Sequence, residues 1–309
     1  MDERGLADLI IARIPSLKPH EKVLLCKQCN NENDIINLSK LEVEILVGRV
    51  LDKLSWDMDS FRALAEQDAK SSYLRGIGYI SCVNPLYPPL LREIYDPPCL
   101  LFYRGTFPNP EKPMIAIVGT RKPSPPAMQE TYFIAKSLGS MGITVVSGLA
   151  RGIDTMAHRG NLDGGAPTIA VLGTGLDEIY PSGNKMLARR IIEQGGVLFS
   201  EYPPATQIRK WHFPARNRII SALSRGTLIM EAPSSSGALI TARFALEHGR
   251  DLWVAKVGAE DGVYVYMREG TIKLASEGAP LITKAEDILM EWGVAPKSET
   301  DYSVTDSYI

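Results

Sequence analysis

The sequence predicts an α/β protein: a doubly wound, mostly parallel sheet preceded by a small all-helical module. Three observations predict it. From Met114 onward, short apolar runs alternate with helix-like segments. Most of those runs are unbroken by polar residues, as strands buried on both faces require. Up to about Ala69, apolar residues recur instead at helical spacing. The expected division is a helical domain over 1–72, the sheet domain over 73–295 and a polar tail over 296–309.

In the helical module, Leu6, Leu9, Ile10 and Ile14 form one stripe. Leu41, Ile45, Leu46, Val50 and Leu54 form another. Pro15 and Pro19 interrupt the first pair of helices, and Asn30–Asn33 reads as a loop. Nothing in this module has a chemical signature.

Between Gly76 and Gly105, Pro85, Pro88, Pro89, Pro97 and Pro98 forbid long helices. Cys99–Tyr103 reads as an edge strand, and Phe107-Pro108-Asn109-Pro110 marks a boundary. The strands expected next are Met114–Val118, Thr144–Ser147, Thr168–Leu172, Val197–Ser200, Thr227–Met230 and Leu252–Val257. The helices between them are Met128–Leu138, Thr155–Leu162, Lys185–Gln194, Arg216–Leu223 and Leu239–His248. A strand over Pro280–Thr283 and a helix over Ala285–Trp292 close the domain. Residues from about Lys297 are polar and expected to be disordered.

Composition narrows the function classes. A net charge of −2 supplies no global positive field, so any nucleic-acid surface must be local. Met1-Asp2-Glu3-Arg4 leads into an amphipathic segment, so no secretory signal is expected. Apolar runs are too short to span a bilayer, so no membrane association is expected. Cys26, Cys29, Cys82 and Cys99 suit a reducing cytoplasm. Cys26-x-x-Cys29 has no second ligand pair and follows no strand, so it reads as helix packing. The scattered histidines His20, His158, His212 and His248 suggest no metal site, and no phosphate-binding Gly-x-x-x-x-Gly-Lys loop indicates ATP use. No cofactor is expected.

One stretch departs from the acidic background. Between Glu201 and Glu231 there is no acidic residue, yet Arg209, Lys210, Arg216, Arg218 and Arg225 lie there. Arg209-Lys210-Trp211-His212-Phe213-Pro214-Ala215-Arg216-Asn217-Arg218 interleaves cations with aromatics. Phosphates need cations and unstacked bases need a flat apolar face, so the pattern suits a single nucleic-acid strand.

In doubly wound sheets, ligands sit beyond the carboxyl ends of the strands. Gly119-Thr120-Arg121 follows the first central strand and offers close backbone approach, a hydroxyl and a guanidinium fork. Ser147-Gly148 opens a second turn that could bind an anion through its amides and a helix dipole. Asp154 is expected to cap the helix that follows. Gly173-Thr174-Gly175 is too short a match for a dinucleotide fingerprint. Glu231-Ala232-Pro233-Ser234-Ser235-Ser236-Gly237 again places hydroxyls before a helix, where they could hold phosphate or cap that helix. Glu231 is expected to orient Arg216 or Arg218. Several such loops in one crevice suit a chain of phosphates better than one mononucleotide.

The ordered motifs Val118-Gly119-Thr120-Arg121, Ser147-Gly148-Leu149-Ala150-Arg151-Gly152-Ile153-Asp154, Gly173-Thr174-Gly175-Leu176-Asp177, Tyr180-Pro181, Ser200-Glu201-Tyr202-Pro203, Phe213-Pro214-Ala215-Arg216-Asn217-Arg218 and Ser236-Gly237-Ala238-Leu239 resemble the DNA-processing protein A (DprA/Smf) family. The resemblance runs from about Gly76 to Trp292. It implies an extended Rossmann-like domain that binds single-stranded DNA, forms a homodimer and loads RecA onto incoming strands in natural transformation. By the resemblance, Arg121 matches a phosphate-contacting arginine, while Lys210 and Phe213 match the lysine and base-contacting aromatic of a basic loop. Arg216, Asn217 and Arg218 match its Arg-Asn-Arg signature, and Ser147 and Gly148 fall in the second anion loop. Ser236 and Gly237 complete the expected DNA-binding set. For Arg216 and Arg218, a bound phosphate and an internal salt bridge both remain open. Val257-Gly258 stands where the family usually has Pro-Gly. Ala275 replaces a larger apolar residue near the expected dimer and RecA surface. The winged-helix domain of many members is not expected here, and the helices before Ala69 loosely resemble a sterile-alpha-motif-like domain.

The leading expectation is a non-catalytic binder of single-stranded DNA that protects the strand and hands it to RecA. Phe213, together with Trp211 or His212, would take a base face. The alternative is a nucleotide hydrolase or phosphoribohydrolase using Glu231, Asp154 or Glu201. A pure interaction protein with a decayed DNA site is the third class.

Overall fold

The computed structural model describes residues 3–51, 55–107, 109 and 111–293. The expected polar tail, Leu54, Pro108 and Pro110 lie outside the described residues.

Five helices come first: α1 (Glu3–Arg13), α2 (Pro19–Gln28), α3 (Glu32–Ile36), α4 (Lys40–Val47) and α5 (Met58–Leu74). Local chemistry sets their ends. Asn31 Oδ1 accepts from the Asp34 amide at 3.1 Å, and Asp57 Oδ1 accepts from Ser60 at 3.0 Å. Gly48 ends α4 in the left-handed region, φ 70°. Leu9, Ile10 and Ile14 are buried as expected. The helix expected at the second stripe is present as α4, but Leu41, Ile45 and Leu46 on it face solvent, as does Val50 beyond it, and Val43 and Leu51 take the core. Arg13 Nε meets Asp68 Oδ2 at 2.5 Å and ties α1 to α5. Cys26 is buried on α2 and Cys29 is buried at its end. Burial, then the nearby acidic side chains, push the Cys29 thiol up to about 11.

The sheet elements follow: β1 (Gly78–Ser81), α6 (Pro89–Arg92), β2 (Leu100–Gly105), β3 (Met114–Val118), α7 (Pro125–Ser140), β4 (Thr144–Ser147), α8 (Ile153–Asp163) and β5 (Ile169–Leu172). Then come α9 (Lys185–Glu193), β6 (Val197–Ser200), α10 (His212–Ala222), β7 (Gly226–Ile229), α11 (Ala238–Glu247), β8 (Asp251–Ala255), α12 (Glu269–Ser276), β9 (Leu281–Ile282) and α13 (Ala285–Glu291).

Among the described residues, nine strands form one sheet in the order β1-β2-β6-β5-β4-β3-β7-β8-β9. From β6 to β9 every pairing is parallel. β2 pairs antiparallel with both β1 and β6, so it is an interior strand and not the expected edge. β3 shows why the central runs are apolar throughout. Ile115 and Ile117 face a core shared with Ile134 and Leu138 of α7 and Ile153 of α8. Ala116 and Val118 face a second core with Ile219 and Ile220 of α10. That second core runs on into Leu9, Ile10 and Cys26 of the helical module. The fold is the expected extended Rossmann-like α/β arrangement with helices on both faces.

Two boundaries differ in ways that matter. α10 starts at His212, four residues before the expected Arg216, so Phe213 and Pro214 belong to its first turn. Proline is tolerated there because the first-turn N–H groups have no helical partner. At Lys256–Gly258, where the family usually has Pro-Gly, the chain makes a single 3₁₀ turn. Thr271 Oγ1 fixes it by donating to the Gly258 carbonyl at 2.5 Å.

Candidate nucleic-acid interface

The strand order reverses at β3, which has β4 on one side and β7 on the other. Chain leaving β3 and chain leaving β7 therefore diverge and open a crevice at their carboxyl ends. Its volume is about 630 Å³. Gly119, Thr120 and Arg121 line it from β3, Phe213, Arg216 and Asn217 from α10, and Ser236 and Gly237 from the turn before α11. The fold thus brings together residues spread over more than a hundred positions. Lys210 lies outside this lining, exposed on the approach to α10.

Gly119 is required by packing. A Cβ there would sit 2.6 Å from Ile153 Cγ1 and 2.9 Å from the Glu231 carbonyl. The Thr120 amide donates to that carbonyl at 2.8 Å, which fixes the two mouths of the crevice to each other. Arg121 is exposed, and its guanidinium lies 5.8 Å from the Phe213 ring centroid. Tyr180 packs on the same ring at 5.4 Å. Asn217 Nδ2 donates to the Gly237 carbonyl at 3.1 Å and braces the far wall.

Several expected ligand groups are engaged inside the fold. Ser147 is buried and donates to the Ile117 carbonyl at 2.7 Å. The Gly148 amide donates to Asp154 Oδ2 at 3.1 Å, and the Ala150 amide does so at 3.3 Å. The second anion loop is therefore satisfied by an internal carboxylate, which places Ser147 and Gly148 behind the crevice. Asp154 holds this turn and does not cap α8, whose N-cap is Gly152. Burial raises its pKa, against the pull of Arg216.

The two signature arginines have different environments. Arg216 is buried and donates to the Gly148 carbonyl at 2.7 Å and to the Val171 carbonyl. Burial, opposed by Asp154, lowers it to about 10. It lines the crevice floor and joins the ends of β4 and β5. Arg218 points elsewhere. Its Nη2 and Nη1 grip Glu201 at 2.6 and 2.9 Å, and its Nε meets Asp96 Oδ2 at 3.1 Å. Burial works to lower its pKa, but Glu201 and Asp96 outweigh it and hold the pKa above the ordinary range. Of the two open readings for Arg218, the structure shows the internal salt bridge.

Glu231 is likewise a correction. It is fully buried and orients neither arginine. It accepts from the Ser124 amide and hydroxyl at 2.7 Å each and pairs with Arg268 at 3.0 Å. Arg268 lies 37 positions away, beyond any local sequence signal. Tyr266 lines the crevice and Tyr180 packs on Phe213 beside it; neither is among the site residues expected from the sequence, although Tyr180-Pro181 is one of the motifs. Ser236 Oγ accepts from the Ala238 amide at 3.2 Å, a local brace at the start of α11. Among the described residues, no cluster of histidine, cysteine or carboxylate could hold a metal. No helix of theirs is long and apolar enough to cross a membrane.

A crevice at the switch point of an extended Rossmann-like sheet, with exposed cations and aromatics at its rim, defines the class. Residues 78–293 match the family model of DNA recombination-mediator protein A, and the chain belongs to that family. It is 43% identical over 212 residues to DNA processing protein DprA of Streptococcus pneumoniae, covering 69% of this chain and 73% of that protein. It is 39% identical to protein Smf of Synechocystis over 262 residues, 82% of this chain and 63% of that protein. The X-ray structure of the Streptococcus pneumoniae protein superposes with a TM-score of 0.74 at 34% identity, covering 93% of this chain and 97% of that one. DNA processing protein A of Helicobacter pylori, whose structure concerns its single-stranded DNA binding mode, superposes at 0.58 with 31% identity, over 69% of this chain and 95% of that one.

Proposed function

We propose that this protein binds single-stranded DNA without sequence preference, in and around the switch-point crevice. The observation that carries the reading is the Arg121 guanidinium beside the Phe213 ring, both at the crevice and both accessible. Arg121 and Lys210 neutralise phosphates, and Phe213 takes a base face. Stacking contributes about 1–3 kcal/mol per base and tolerates any base. Gly119, Thr120, Asn217, Ser236 and Gly237 shape the walls. Arg216 acts from beneath as a buried, positively charged strut. The kinship to the Helicobacter pylori protein supports the same ligand class.

Family membership supports a wider role. The protein protects incoming strands during DNA uptake in the cytoplasm, acts as a homodimer and loads RecA. The nucleotide-hydrolase alternative is disfavoured on chemistry. Glu231, Asp154 and Glu201 are each held by internal donors, and a general base must reach its substrate's proton. Anisotropy titrations of labelled oligo-dT and its duplex over a salt series test the reading. Expected are tighter binding of the single strand and a negative salt slope. Preference for the duplex, or base release from nucleoside monophosphates abolished by Glu231→Gln, would overturn it. A gel-filtration mass tests the dimer, and RecA filament assembly on the bound strand tests loading.

A further inference from the structure

Phe213 is not the only aromatic carried by the basic stretch. Trp211 immediately precedes α10, and 59% of it is exposed. Trp253 and Trp292 are buried and Trp56 is half-buried, so this indole stands apart from the other three. A single exposed apolar residue is ordinary. This one, however, is propped. Its ring stands at 85° to His212, 4.2 Å away, and at 78° to Tyr202, 6.4 Å away. His212 itself stacks on Tyr202 at 4.0 Å. Burial lowers the His212 pKa, which favours the uncharged ring.

Direction matters as much as exposure. Trp211 already has helical backbone angles, φ −74° and ψ −16°. In a helix, residues two apart point about 200° from each other. Phe213 faces the crevice, so Trp211 faces away from it, across the first turn of α10. Arg209 and Lys210 are exposed immediately before the indole. A strand leaving the crevice over this turn meets two cations and then a flat, pre-positioned apolar surface. A side chain ordered before binding loses less freedom on binding.

We infer that Trp211 is a second base-stacking platform, for a base of the same single strand that lies outside the crevice. The inference rests on the single-strand reading proposed above. It is tested with full-length parent, Trp211→Ala and Trp211→Phe, by anisotropy of labelled oligo-dT over a salt series and by intrinsic fluorescence, with urea midpoints as a folding control. The parent is expected to show fluorescence quenching on binding. Trp211→Ala should bind at least about 5-fold more weakly, with an unchanged salt slope, because a neutral ring releases no counterions. Trp211→Phe should retain most of the affinity. If the parent binds and Trp211→Ala binds equally well, the second platform falls while the crevice reading stands. A changed slope, or a Phe variant as weak as Ala, would also overturn it by showing a role other than stacking. If the parent does not bind oligo-dT, both readings fall together.

Discussion

The Arg216 guanidinium occupies the space where a side chain on Gly148 would begin. A Cβ at Gly148 would lie 2.5 Å from Nη2 and 2.6 Å from Cζ of Arg216. The same guanidinium donates to the Gly148 carbonyl, so glycine and arginine form one joint beneath the crevice. Gly148→Ala is expected to displace the head group and destabilise the protein by about 1–3 kcal/mol, the usual cost of overpacking. DNA affinity should fall with it. In an Arg216→Ala background the same Gly148 change should cost much less, because the clash has been removed. Equal costs in both backgrounds, read from urea midpoints, would dissociate the two residues.

Arg218 predicts the opposite pattern from Arg121. It is buried, and its partners Glu201 and Asp96 keep some contact with water. Arg218→Ala should cost about 2–3 kcal/mol, below the ~3–5 kcal/mol typical when a fully buried pair is broken. Under conditions where the variant stays folded, its salt slope for oligo-dT should match the parent's. A flatter slope would mean that Arg218 reaches the phosphates after all.

The central strands were legible because burial on both faces leaves an apolar run with no gaps, as at Ile115–Val118. Helix α10 was legible only from Arg216 onward, since Trp211-His212-Phe213-Pro214 carries no capping side chain and contains a proline. The stripe of Leu41 and Ile45 has helical spacing but faces solvent, because spacing records a face and not what covers it. Pairing is equally invisible in one dimension, so β2 could not be placed between β1 and β6. The crevice residues after β3 and before α11 could be named because strand ends are where such sheets bind. The engagement of Glu231 by Arg268 and of Arg218 by Glu201 could not, because those contacts depend on tertiary placement.

For the exposed cations the measurement is the salt slope. Each phosphate contact on a single strand contributes about 0.7 to the slope of log affinity against log salt. Arg121→Ala and Lys210→Ala should each weaken oligo-dT binding and flatten the slope by roughly that amount. Arg121→Ala should have little effect on the urea midpoint, because the side chain is exposed. Parallel slopes for parent and both variants would remove these residues from the phosphate track.

Stability should fall in mild acid through His158. This side chain is fully buried, and burial first, then the charge of Arg216, hold its pKa at about 3. Its tautomer follows from its neighbours. Thr168 Oγ1 gives its one proton to the Val145 carbonyl at 2.6 Å, so His158 Nδ1, 2.9 Å away, is the donor to Thr168. Nε2 is the unprotonated nitrogen, buried and with no hydrogen-bond partner. A second proton would create an unpaired buried charge. In the unfolded chain the imidazole titrates near its ordinary value of about 6.5. Between those two values the unfolded state holds more protons, so this contribution is complete above about pH 6.5 and is lost as pH falls toward 3. From pH 7 to pH 5 the loss is about 2 kcal/mol for one such histidine. His248, held at about 4 by burial and then Arg250, acts in the same direction. Asp154, raised by burial, acts oppositely in the carboxylate range. His158→Gln should therefore lose about 2 kcal/mol less than the parent between pH 7 and pH 5, read from urea midpoints at each pH. Identical losses would show that the proton is taken up elsewhere.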